Sequence, residues 1–184
     1  MLHGIGELRL ERSHTSERPD FSSAPPVLSH FDLAVEVPAA EYAVRIRSVM
    51  NAVLTLAMSA DFEDDDFPVD GIPAWFGAVC REGGGPVERF ARMGSACYAE
   101  KTGGEPWGLR GWLYRFDPEV EVRGWSWWDL TSPSNGGLRL WVDAWGESFF
   151  AWEELRWLLY VCGAREVEGP ILRRSEVWAA EDSV

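Results

Sequence analysis

Nine of the chain's eleven tryptophans lie between Trp107 and Trp157, and Trp125-Ser-Trp-Trp128 is their densest knot. Rings of that size dominate whatever core they join. Several stand in segments where apolar residues alternate, the period of a strand. Leu138, Leu140, Val142 and Ala144 share one face of such a segment, with Trp141 and Trp145 on the other. Trp125 and Trp127 oppose Trp128 and Leu130, and Trp112, Tyr114 and Phe116 oppose Leu113. The pattern predicts strands over 109–117, 121–131 and 137–145, joined at Asp117-Pro118-Glu119 and Ser132–Gly136 as an antiparallel meander. A sheet apolar on both faces must be covered on both, or it offers one aromatic face to a partner.

Around this meander, Phe31, Leu33, Val35 and Val37 alternate with Asp32, Ala34 and Glu36, a further strand that Pro38 ends. Four helices follow from the remaining periodicity. One covers about 40–59, with Ile46, Met50, Val53, Leu54 and Ala57 on one stripe. Others run from Pro73 to Glu82 and from Pro86 to about Thr102, separated by Gly83-Gly84-Gly85. The fourth spans Phe149–Cys162, capped by Ser148 and stopped by Gly163. Gly169–Arg173 adds a last strand before a polar tail. The fold class expected is α+β, an antiparallel sheet of about four or five strands, including the Trp-rich three-strand meander, packed with about four helices.

Residues 1–26 carry four serines, seven charged residues and Pro25-Pro26, and read as a mobile N-terminal arm. An alternative is a short edge strand at Ile5–Leu10. Residues 27–184 read as a single α+β domain. No stretch has the apolar run of a signal peptide, and Val44–Ala60 is interrupted by Arg45, Arg47, Ser48 and Asn51. A cytoplasmic protein without membrane contact is expected. Cys80, Cys97 and Cys162 are odd in number and widely spaced, as reduced thiols are.

The chemical inventory is thin. Histidine occurs at His3, His14 and His30 and nowhere after, so a nucleophile–His pair would need the arm to fold back. The cysteines and histidines have no metal-ligand spacing. Gly83-Gly84-Gly85 lacks the Lys-Ser/Thr of a phosphate loop. Glu119 with Glu121, or Asp129 with Asp143, could face each other as an acid/base pair. No catalytic signature emerges, and the expectation is a non-enzyme with no cofactor and no metal.

Seventeen Lys and Arg stand against thirty Asp and Glu, a net charge of −13. That balance excludes binding to nucleic acid by phosphate neutralisation and docking on anionic lipid. The acids concentrate in Asp61-Phe62-Glu63-Asp64-Asp65-Asp66-Phe67-Pro68-Val69-Asp70. As a calcium loop the run fails, because Asp66 stands where an EF-hand needs glycine. As a recognition loop it makes physical sense, since a basic partner relieves the repulsion among its carboxylates. Phe62 and Phe67 then anchor the loop in the protein's own core or in the partner, and Trp141 and Trp145 supply an apolar contact. The expected function is a protein-binding module that neutralises a basic protein partner, as an immunity or antitoxin-type inhibitor neutralises a toxin such as a nuclease. An adaptor docking through the aromatic sheet face or the fourth helix is the alternative, and an enzyme using carboxylates a lesser one.

Overall fold

A computed structural model describes residues 3–64, 66–134 and 136–184. Strands β1 (Val27–Val35), β2 (Ser126–Ser132), β3 (Leu138–Asp143), β4 (Ala164–Arg174) and β5 (Asp182–Ser183) form one antiparallel sheet in the order β4-β1-β3-β2-β5. The helices are α1 (Ile5–His14), α2 (Ala39–Ala57), α3 (Ala74–Val79), α4 (Arg89–Thr102), α5 (Leu109–Leu113), α6 (Glu153–Val161) and α7 (Ser175–Ala179). This is the α+β architecture expected, and no helix among the described residues is long and apolar enough to cross a membrane.

Both sheet faces are covered. On one, Phe31, Leu33, Trp127, Leu130, Leu138, Leu140 and Val142 join the buried stripe of α2 (Tyr42, Ile46, Val49, Met50, Val53, Leu54) and of α6 (Leu155, Leu158, Leu159) in the main core. On the other, Leu28, Trp128, Trp141 and Trp178 form a smaller cluster, with Ala24 against it. The aromatic face is closed by α7 and the segment that leads into β1. α4 packs on α6 so closely that a Cβ on Gly94 would stand 2.0 Å from the Tyr160 carbonyl oxygen. Only glycine permits that approach. At the end of α6, Gly163 at φ 120° turns the chain into β4.

Four local expectations give way. Residues 109–117 are not a strand but α5 followed by a 3-10 turn at Tyr114–Phe116. Leu109, Trp112, Leu113 and Phe116 also recur at helical spacing, and that pattern places Trp112, Leu113 and Phe116 in the core. The meander is therefore reduced to the β2–β3 hairpin. Within it, a register shift between Trp127 and Asp129 breaks the alternation. Trp127 and Leu130 share the main core while Trp128 joins the opposite cluster, so Trp128 and Leu130 do not share a face.

The segment expected as a mobile arm contains α1. Leu8 is buried in the main core, and Glu11 and His14 are buried beside it. Met1 and Leu2 lie outside the described residues. Finally, α6 begins at Glu153 with Trp152 at its cap and no side-chain capping bond, not at Ser148. Residues 150 and 152 are drawn to the core instead, where the Trp152 ring lies 4.7 Å from Phe31.

Candidate functional site

The acidic run begins where α2 ends, and two aromatic pegs determine its shape. Phe62 and Phe67 are buried, their ring centroids 5.0 Å apart and 5.8 and 5.7 Å from Tyr114. Arg110 clamps the second peg, lying 4.8 Å over the Phe67 ring and donating to its carbonyl oxygen at 3.3 Å. The anchoring is thus into the protein's own core, not into a partner. With both rings turned inward, Asp61, Glu63, Asp64, Asp66 and Asp70 are exposed. Two side chains also brace the loop, Asp61 accepting from the Glu63 N–H at 3.0 Å and Asp64 from the Asp66 N–H at 2.9 Å. Asp65 lies outside the described residues.

The fold adds acids that nothing in the sequence groups with this loop. Residues Ala60, Asp61, Phe62 and Glu63 face Asp117, Pro118 and Glu119 across a cleft of about 420 Å³. In the second wall, Asp117 accepts from the Glu119 N–H at 2.9 Å. Only the placement of α5 and its following turn beside the end of α2 makes the two acidic segments neighbours. Among the described residues, none of Asp61, Glu63, Asp64, Asp66, Asp70, Asp117 and Glu119 has an Arg, Lys or His within ion-pair distance.

The two tryptophans named for the site part company. Trp141 is fully buried, its indole N–H donating to Thr131 Oγ1 at 2.9 Å and to Glu181 Oε2 at 3.2 Å. It reaches no partner. Trp145 is 39% exposed, held by a backbone bond to Asp143 at 2.8 Å and by the edge of the His3 ring at 5.3 Å. Val120 and Val122, on the chain that leaves the acidic turn, are also exposed, and Phe149 is 92% exposed. These are among the exposed apolar side chains, with Ile5, Leu10, Phe21 and Val44 exposed elsewhere; Phe149 and Val122 fall inside an expected helix and strand, and Val120 between two expected strands.

The acid/base alternatives find little support in the geometry. Asp129 and Asp143 are not opposite one another, because Asp129 pairs with Trp141 and Asp143 with Ser126. Asp129 is committed to the fold, taking bonds from the Trp178 indole at 2.9 Å and the Ser183 hydroxyl at 3.0 Å. Burial raises the Asp143 carboxyl above its ordinary range. Glu119 and Glu121 are both exposed, on the surface turn after Asp117.

Other perturbed groups lie in a different place. Burial pushes the Glu11 carboxyl up, but Arg123, donating at 2.6 and 2.8 Å, and the Trp127 N–H at 2.7 Å carry it below its ordinary value. His3 caps that pair, accepting from Arg123 at Nδ1 (3.1 Å) and donating from Nε2 to the Arg123 carbonyl (2.9 Å). Glu154 is buried and raised by that burial, despite bonds from the Trp125 indole at 2.6 Å and Arg115 at 3.1 Å. His30 is brought down to about 4 by burial and by the charge of Arg139. Glu11, His3 and Glu154 are enclosed by neighbours that satisfy or neutralise them, whereas His30 is buried with no hydrogen-bond partner at Nδ1. Among the described residues, no three His, Cys, Asp or Glu side chains converge as a metal site requires. No known family model, curated protein or solved structure matches the chain.

Proposed function

We propose that the chain is a binding module whose acidic face neutralises a basic protein partner, in the manner of an immunity or antitoxin-type inhibitor of a toxin such as a nuclease. One observation carries the reading. Asp61, Glu63, Asp117 and Glu119 line one cleft, Asp64, Asp66 and Asp70 are exposed further along the same loop, and among the described residues none of the seven has a cation within ion-pair distance. Such a display carries repulsion and is relieved by a surface of opposite sign. A nuclease has that surface, because its cleft must hold phosphates. Acid against base also speeds encounter by steering. The loop is pre-formed by Phe62 and Phe67, so little ordering is left for the moment of binding. Val120 and Val122, just beyond Glu119 in the chain, offer apolar contact beside the acids. The reading needs no cofactor, no catalysis and no contact with nucleic acid or membrane, and it suits a cytoplasmic protein.

The aromatic sheet face is a poor place for an adaptor's partner, since Trp128 and Trp141 lie beneath Trp178 and the chain leading into β1. The test is capture of partners from the source cell's lysate by wild type and by the triple variant Asp61→Lys, Asp64→Lys, Asp66→Lys, at low and high salt. A basic protein retained by wild type, released by salt and lost by the variant supports neutralisation. The same capture by both proteins, or capture indifferent to salt, overturns it.

A further inference from the structure

We infer that α1 is a pH-released clamp on the segment that carries the second wall of the acidic cleft, with the His3 imidazole as its catch. From Asp117 to Trp125 the chain runs without helix or strand, between the Tyr114–Phe116 turn and β2. Its far end is fixed, because Trp125 is buried and donates to Glu154. Before that point Arg115 donates to the Val122 carbonyl at 3.3 Å, and the Gly124 N–H to the Ala151 carbonyl at 3.2 Å. The strongest hold comes from α1 and His3, which grip Arg123 by side chain and main chain at once. Glu11 takes both guanidinium nitrogens, at 2.6 and 2.8 Å, and the His3 Nε2–H donates to the Arg123 carbonyl at 2.9 Å.

Apolar burial does little to hold α1. Leu8 is the one apolar side chain it buries, while Ile5 and Leu10 are exposed, and so short a helix does not persist alone in water. Its docking depends on the polar cluster, and one member of that cluster is sensitive to protons. A guanidinium only donates, so His3 Nδ1, 3.1 Å from Arg123, is the unprotonated nitrogen of the ring. A second proton goes to that nitrogen. It removes the bond and sets imidazolium against guanidinium in a buried place. Glu11 has no oxygen to spare for the new cation, since both already accept from Arg123 and one of them also from the Trp127 N–H. Arg123, Glu11 and Glu121 are the charges that reach the ring, and Trp145, which meets its edge, is uncharged. Burial, and after it Arg123, outweigh the two carboxylates and hold the imidazole below its ordinary 6.5. Released, the ring takes the proton more readily than docked, so the clamp is full above 6.5 and loosens as pH falls. His14, at the other end of α1, is also held down by burial, but the charges that reach it are Glu11 and Asp129, so a proton there meets no cation. Release leaves Glu119 at the head of a slack chain, which makes the shape of the cleft depend on pH whatever the cleft binds.

Amide hydrogen exchange resolved by NMR on the full chain, at pH 7.5 and 5.5 and corrected for the intrinsic pH dependence of exchange, tests this. About one pH unit below the ordinary value, protonation of the released ring favours release about tenfold. Protection of the α1 amides and of the Gly124 and Trp127 N–H groups is expected to fall together by about that factor. His3→Gln keeps an acceptor and a donor for Arg123 but takes no proton, and is expected to abolish the fall. His14→Gln is expected to retain it. A titration of the His3 ring in wild type needs no variant to dock, and its midpoint is expected to coincide with that of the opening at Gly124. Protection indifferent to pH overturns the inference. So does a fall that survives in His3→Gln or vanishes in His14→Gln, or a His3 midpoint apart from that of the opening.

Discussion

Two sets of carboxylates in this protein have opposite surroundings. Glu11, Asp129, Glu154 and Glu181 sit in the interior or at its edge, and each takes hydrogen bonds from arginine or from an indole or hydroxyl. Asp61, Glu63, Asp64, Asp66 and Asp70 stand in solvent, and among the described residues no cation accompanies them. The first set fastens segments distant in sequence: Glu11 ties α1 to Arg123 and β2, and Glu181 ties the C-terminal residues to Arg139 and Thr131. The second fastens nothing beyond its own turns. A chain of net charge −13 thus spends part of its acid on holding itself together and leaves part of it displayed. Stability should follow the first set and be nearly blind to the second.

The sharpest way to break that comparison is Arg123→Ala. It strands the buried Glu11 carboxylate and removes the donor to His3, so the expected loss is about 3–5 kcal/mol in urea unfolding. A loss below about 1 kcal/mol would show that α1 is held by Leu8 and not by the ion pair. The pH dependence sharpens the same point. His30 is at about 4 in the folded state against an ordinary value of 6.5. The unfolded chain therefore binds the extra proton between those values, and stability is full above 6.5 and falls as pH drops toward 4. The loss is up to about 3 kcal/mol. Glu11, held below its ordinary value, continues the loss at lower pH. His30→Phe, which also removes a buried Nδ1 that has no hydrogen-bond partner, should flatten the dependence over that window. If wild type and variant keep the same slope in urea midpoint from pH 7.5 to 5, His30 is not its source.

The sequence disclosed the two sets unequally, for physical reasons. α2 and the β2–β3 hairpin are legible because their buried residues are apolar and periodic. α1 is not, since the face it buries consists of Leu8, Glu11 and His14, and two of those three read as solvated. Glu11 depends on Arg123 and His14 on Trp127 and Trp128, all more than a hundred residues away. α5 was hidden by ambiguity, because Trp112, Tyr114 and Phe116 alternate while Trp112, Leu113 and Phe116 fit a helical turn. The bulge at Trp128 is invisible to a rule of strict alternation. On the candidate site, the acids of 61–70 were evident from composition alone, and the two phenylalanines bracketing them suggested pegs. The second wall at Asp117–Glu119 was out of reach, because only the packing of the Tyr114–Phe116 turn against α2 brings it there.

The smallest effect is the most telling about the displayed set. The double variant Asp64→Asn, Asp66→Asn keeps an oxygen acceptor for the turn bond between residues 64 and 66 and removes two charges from a crowded face. Surface substitutions of this kind stay within about 0.5 kcal/mol. The sign expected is stabilising, since like charges are being removed, and the gain should fade as salt screens the repulsion. Unfolding at low and at high ionic strength measures both the size and the fade. A loss larger than about 1 kcal/mol would place those carboxylates with Glu11 and Asp129 as fasteners of the fold, and the contrast between the two sets would collapse.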